Sequence, residues 1–336
     1  VLYQPSKGEP SWRSVREAEQ LAAADTLITD YMRFRDSHAD NAVGNEKIAI
    51  WCQRQGLRDH AKIHWARVIR LQPGHKAALR NLEQPDSPFR VRCVPHAVRL
   101  AAIHGDHEQG LAAARDLVAR NTDKLQFTNK IKFFTDGAFF SQLALLQEPG
   151  YIDGHLGEWL MPPEAYEAAT RIYWHAGYEI HVHCTGDLGV ELAVDTLAKL
   201  QAEHPRFDHG YTIEHFGFST PEQVARIKAL GGQVSANVYY LHELSHAYGE
   251  AGVGVERAHQ AARVGSCERA GIRWTLHSDF PMAPALPLHS AWVACTRQNC
   301  EGEVVAGAER VSLGAALRAI TIDAAAVLGL AETTGS

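Results

Sequence analysis

Beyond residue 89 the chain repeats one unit, a short apolar strand followed by a helical segment. The strands read FRVRCVP, KIKFFTDG, YEIHVHCTGD, GYTIEHFG, GGQVSANVYY and GIRWTLHSDFP, and helices such as PPEAYEAATRIYWHAG, GVELAVDTLAKLQAEH and TPEQVARIKALG lie between them. Strand then helix, repeated, demands parallel strands with the helices as crossovers, either as an open doubly wound sheet or as a barrel. No Gly-x-Gly-x-x-Gly turn follows the first strand, which weakens the dinucleotide-binding form of the open sheet.

Before that point the grammar differs. Residues 1–84 read as helices only, with a helical pair broken at Gly56 and Pro73 and an apolar stripe of Ala61, Trp65, Val68 and Leu71 along its second member. This pair weakly resembles one tetratricopeptide unit. Such a unit needs neighbours to bury its apolar face, so it is expected either to pack on the rest of the chain or to bind a protein partner. The stretch QPDSPF, Gln84 to Phe89, carries two prolines and is the expected joint between a helical region 1–84 and an α/β region 85–336.

Composition narrows the classes of function. With 336 residues, 46% hydrophobic and 21% charged, the chain can bury a sizeable core. Its net charge of −6 is scattered and gives no basic face for nucleic acid. No apolar run approaches the roughly 20 residues that span a bilayer, and the opening residues lack a secretory pattern, so a soluble, cytoplasmic protein is expected. Six cysteines without CxxC spacing read as buried free thiols rather than as a disulfide framework.

The strand ends carry the chemistry. Lys132 lies in IKFF, His181 and His183 in IHVH, His215 closes YTIEH, and His277 to Asp279 close TLHSD. In a parallel barrel all these ends open on one face, where groups from different strands converge. Imidazoles from two strands, a carboxylate from a third and a lysine from a fourth suit zinc or a similar divalent ion.

In combination and in order, IKFFTDGAFF, HVHCTGDLG, YTIEHFGF, LHSDFPMAP and ALRAITIDAAAVLGL resemble the metal-dependent amidohydrolases, specifically amidohydrolase family three, over about residues 89–330. The resemblance implies a (β/α)₈ TIM-type barrel and hydrolysis of C–N bonds, typically amides, in a small-molecule substrate. It makes His183 and His215 metal ligands, Asp279 both a ligand and the catalytic proton shuttle, and Lys132 a ligand when carboxylated. His181, deeper on the strand, sits behind the ligands. Loop residues His155, Trp159, Tyr240, His242 and His246 are candidate substrate contacts.

Two parts of the family pattern are missing from this sequence. No His-x-His pair occurs before residue 181, and FRVRCVP corresponds to about the third barrel strand, so the barrel is expected to be incomplete, about strands three to eight, after an all-α region. An opened barrel exposes strand edges, which the helical region or a second copy of the chain would cover. The competing expectation is a non-catalytic truncated barrel fused to a helical protein-binding unit.

Overall fold

The computed structural model describes residues 2–3, 11–12, 15–72, 75–82, 90–280 and 282–334. The expected joint at residues 84–89 lies outside them. The chain divides into two units, one of residues 1–95 and 113–128, the other of residues 96–112 and 129–336.

The first unit is mainly helical, with α1 (Val15–Asp36), α2 (Ala42–Arg54), α3 (Arg58–Leu71) and α4 (Lys76–Leu82). It also holds strands: among the described residues two short ones fall within residues 1–84, contrary to the all-helical expectation there, and two lie beyond, the first of them the strand expected from FRVRCVP. β1 (Leu2–Tyr3) and β2 (Ser11–Trp12) pair antiparallel, and β3 (Val91–Cys93) pairs in parallel with β4 (Leu125–Phe127). Asn41 caps α2 by accepting the Gly44 N–H at 2.8 Å, and Gly56, at φ 75°, supplies the left-handed residue between α2 and α3. Ile48, Ala49 and Cys52 of α2 and Ala61, Trp65, Val68 and Ile69 of α3 are buried. The apolar stripe predicted for α3 is therefore its core face, although Leu71 at its end is only partly covered.

The second unit begins with α5 (Ala97–His104) and the first half of α6 (His107–Val118). Its centre is a five-stranded parallel sheet in sequence order: β5 (Lys130–Phe134), β6 (Glu179–Cys184), β7 (Thr212–His215), β8 (Gln233–Ala236) and β9 (Trp274–Leu276). The crossovers are α7 (Pro163–His175), α8 (Asp187–Glu203), α9 (Pro221–Ala229), and the set α10 (Tyr239–Ala251), α11 (Val255–Ala258) and α12 (Val264–Ala270). After β9 come α13 (Pro287–Thr296), α14 (Leu313–Ala319) and α15 (Ile322–Val327). The sheet does not close into a barrel. None of the described helices is long and apolar enough to cross a membrane.

Register divides the sheet chemically. Phe133, Val182, Ile213, Val234 and Trp274 are cross-strand neighbours. Phe133 meets Tyr166 and Tyr173 of α7 edge to face at 5.9 and 5.6 Å, so this apolar row is the helix-covered side. Burying each such side chain contributes about 1.5–3 kcal/mol. The alternating row is Phe134, His183, Glu214, Ser235 and Thr275, one step further along than Lys132, His181, Thr212 and Gln233. Because side chains alternate along a strand, these polar residues occupy the opposite face.

Candidate active site

Alternation alone would place His215 with Cys184 and Ala236, on the apolar face. The backbone overrides it: His215 takes φ 71° and Phe216 φ 50°. Non-glycine residues rarely adopt this left-handed region, and when they do the conformation must be held by its surroundings. Here the Phe216 N–H donates to Cys184 O at 3.1 Å and the Phe218 N–H to Thr185 O at 2.8 Å. The His215 ring consequently lies 4.4 Å, centroid to centroid, from that of His183 and 4.9 Å from that of His277. Asp279, at φ 50°, is a second strand-end residue with left-handed backbone.

His183 is stacked on Phe134 at 5.1 Å, and its Nε2 lies 3.3 Å from Gly137 O. Burial, reinforced by the Lys132 charge, pulls its pKa down to about 3, so the imidazole is neutral. Burial likewise lowers the pKa of His277. Glu214, which the sequence reading passed over, joins the cluster. Its Oε1 accepts from His181 Nδ1 at 2.6 Å, and its Oε2 stands 4.0 Å from His277 Nε2. Burial opposes ionisation of Glu214, but Lys132 and His181 outweigh it and hold the carboxyl well below the usual range. The Lys132 ammonium lies 5.6 Å from the centre of the Phe134 ring.

Two ring nitrogens in this cluster are buried without a hydrogen-bond partner, Nε2 of His181 and Nε2 of His277. His181 gives Nδ1 to Glu214 and leaves Nε2 without a hydrogen bond. A carboxylate fixing one imidazole nitrogen and freeing the other is the arrangement found behind metal-binding histidines.

The donors can be tested against a divalent ion. With metal–nitrogen bonds of about 2.0–2.1 Å, two imidazoles sharing an ion have centroids roughly 4.4–5.3 Å apart. The His183–His215 and His215–His277 pairs meet this spacing. Among the described residues, however, no three His, Cys, Asp or Glu side chains are arranged to hold an ion. Of the expected trio of His183, His215 and Asp279, the two imidazoles lie ring to ring, 4.4 Å between centroids. The Asp279 N–H donates to His277 Nδ1 at 3.1 Å.

The candidate substrate contacts separate. Tyr240 reaches the site, its hydroxyl 3.4 Å from His215 Nδ1 and its ring stacked on Phe139 at 4.3 Å. Burial raises its pKa, which keeps the phenol protonated. The segment YYLHELSHAYGE is not a loop, as the sequence suggested, but helix α10, and this separates its members. His242 is turned toward Gln298 O, 2.8 Å from Nδ1, and packs near His289 and Trp292. His246 is exposed and sits 3.4 Å from Glu250 on the helix surface. His155 spends both nitrogens locally, on Asp153 and on Gln142 O, and stacks on Tyr151 at 4.0 Å. Trp159 is more than a third exposed, and its backbone bridges to Asp136.

Ionisable groups thus gather at the C-terminal ends of parallel, helix-covered strands, the end at which barrel folds carry their sites. The chain belongs to the amidohydrolase family, whose signature matches residues 55–336. The match starts at Gln55, so α3 and α4 fall inside it, and the tetratricopeptide-like reading of those helices gains no support from it. The fold is similar to that of an uncharacterized metal-dependent hydrolase from Pyrococcus horikoshii OT3, at 20% identity and a TM-score of 0.62, with 87% of this chain and 60% of that one covered. It is also similar to an uncharacterized metal-dependent hydrolase from Pyrococcus furiosus, at 22% identity and a TM-score of 0.62, covering 91% and 66%. This chain therefore spans about three fifths to two thirds of the length of these two proteins. Among proteins of curated function, none matches the sequence.

Proposed function

We propose that the protein is a metal-dependent hydrolase of C–N bonds, acting on an amide-like group of a small molecule. The observation that carries this reading is the buried, neutral His183 beside His215 at the C-terminal mouth of the sheet. These two imidazoles would hold a divalent cation, zinc being the one that suits nitrogen donors and a carboxylate, with Asp279 as the third ligand. Bound there, the cation supplies Lewis acidity toward water and toward the scissile carbonyl.

The remaining steps belong to side chains. Asp279 takes the proton released as water attacks and passes it to the leaving nitrogen, which must be protonated to depart. Tyr240, a protonated phenol next to His215, would donate a hydrogen bond to the substrate. Glu214 orients His181 and supplies the counter-charge for Lys132. That partner makes an ammonium at Lys132 electrostatically sound without the carboxylation that the family resemblance implies. Six free cysteines, three of them buried, suit a reducing compartment such as the cytoplasm.

Zinc titration of the purified chain by calorimetry tests the reading, followed by assay against a panel of N-acyl amino acids, cyclic amides and ureas with and without a chelator. Near-stoichiometric zinc that is lost in His183→Ala and His215→Ala, with chelator-sensitive hydrolysis, is expected. Retention of zinc by both variants would remove the assignment.

A further inference from the structure

Asp136 lies in the turn directly after β5 and is wholly buried. Its Oδ1 accepts the Thr185 N–H at 3.0 Å and the Thr135 hydroxyl at 3.0 Å. Its Oδ2 accepts the Gly186 N–H at 2.7 Å and the Leu145 N–H at 3.0 Å. A buried carboxylate with this many donors is a rigid fastening, and what it fastens is the turn by which the chain leaves β6, two residues after His183.

The flanking residues act on His183 itself. Thr135 donates its N–H to the His183 carbonyl at 3.0 Å, and its hydroxyl, 2.9 Å from the same carbonyl, shares one proton between that oxygen and Asp136 Oδ1. Gly137 O faces His183 Nε2 at 3.3 Å and also accepts from Thr185 Oγ1 at 2.5 Å. That hydroxyl is 3.2 Å from Asp136 Oδ2, so its single proton is shared between the two acceptors. Backbone and ring of His183 are thus both gripped by Thr135-Asp136-Gly137, and the carboxylate of Asp136 is the hub. Packing closes around it. A Cβ at Gly189 would come within 2.6 Å of Asp136 Oδ1, and one at Gly186 within 1.9 Å of Leu145 O. Only glycine lets α8 and the Leu145 segment approach this closely.

We infer that Asp136 is a positioning residue that sets the direction of the His183 imidazole through the Thr185-Gly186 turn and the Gly137 carbonyl. The inference rests on the reading of His183 as an ion-holding imidazole. Asparagine at this position keeps the shape but turns one acceptor oxygen into a donor that faces backbone N–H groups. The expected consequence is zinc binding weaker by on the order of 10–100-fold, the usual effect of removing a group behind a metal ligand.

The test uses the full chain and zinc alone, with affinity measured by competition against a chromogenic chelator. It compares wild type, Asp136→Asn, and Glu309→Gln, the last a buried carboxylate that accepts from Ser266 N and Oγ, both at 2.6 Å. A second readout is the ¹⁵N shifts of the His183 ring in the metal-free proteins, assigned by their loss in His183→Ala. Weakened zinc binding and moved His183 shifts in Asp136→Asn, with Glu309→Gln unchanged, support the inference. Affinity within threefold of wild type and unmoved shifts overturn it, as does an equal loss in Glu309→Gln. If wild type binds no zinc, the site reading falls, and the ring shifts alone still judge Asp136. Should Asp136→Asn not fold, Thr185→Val, which removes the hydroxyl shared with Gly137 O, takes its place. A loss of roughly 3–10-fold or a moved His183 ring then supports the inference, and neither overturns it.

Discussion

Each unit of the molecule buries a polar cluster around histidine, and the two clusters are finished differently. In the helical unit His64 uses both ring nitrogens: Nδ1 donates to Asn45 Oδ1 at 2.8 Å, and Nε2 accepts from the Tyr31 hydroxyl at 2.9 Å. Asn45 passes the chain on to Asp40 at 2.9 Å, and Arg67 Nε closes it at 2.7 Å. In the sheet unit, Nε2 of His181 and Nε2 of His277 are each buried without a hydrogen bond among the described residues. A closed network specifies a fold, whereas buried polar atoms left open cost stability and persist where something else uses them. Burial of histidine is therefore not the informative property of this chain. Completion of its hydrogen bonds is.

The contrast can be broken by mutation, and the largest expected effect lies in the closed cluster. His64→Ala strands Tyr31 and Asn45 inside the helical unit and should destabilise it by about 3 kcal/mol in urea denaturation. His181→Ala removes one hydrogen bond and relieves one orphaned nitrogen, so about 1 kcal/mol is expected. If the two cost the same, openness does not mark the second cluster as functional.

Acidity separates the units in sign. Burial pulls the His64 pKa from 6.5 down to about 4. A depressed folded pKa contributes stability that is fully present above pH 6.5 and is lost as pH falls through about 4. Burial drives the Asp136 pKa the other way, from 3.8 up to about 6. A raised folded pKa contributes stability that is present below pH 3.8 and is lost as pH rises through about 6. Each shift corresponds to about 3 kcal/mol, and in wild type they largely offset one another between pH 4 and 6. His64→Gln should therefore lose stability as pH rises across this window, and Asp136→Asn should gain it. Parallel slopes in the two variants would contradict the assignment.

Metal gives a smaller and one-sided effect. Zinc at a hundredfold excess over its dissociation constant stabilises by about 2.7 kcal/mol, and this increment should vanish in His215→Ala and survive His64→Ala. The smallest effect expected is that of His246→Ala. Its side chain is half exposed on α10, so stability and zinc affinity should both stay within measurement error.

How far the sequence could be read follows from periodicity. The strand-helix alternation and the strand-end position of His183 were legible, because a two-residue period assigns faces without reference to the rest of the chain, whereas Lys132, expected near a strand end, is the middle residue of β5. The same period misplaces His215, whose direction comes from left-handed backbone at His215 and Phe216 that no local pattern announces. Glu214 and Asp136 had signals, in IEH and FFTDG, but their partners are 33 and 49 residues away in sequence. Helix α10 was missed because an aromatic start, YY, reads as strand. Its buried Tyr240, Leu241, Ser245 and Tyr248 keep the helical spacing that could have corrected this.

The pair of left-handed residues ending β7 carries a further implication for how this protein can vary. At position 216 the backbone needs a geometry that glycine and asparagine tolerate and valine or isoleucine resist. A saturation library there should enrich the small and amide residues even though the native phenylalanine is large and apolar. Retained folding across the β-branched substitutions would mean that the kink is imposed by distant packing rather than accommodated at Phe216 itself.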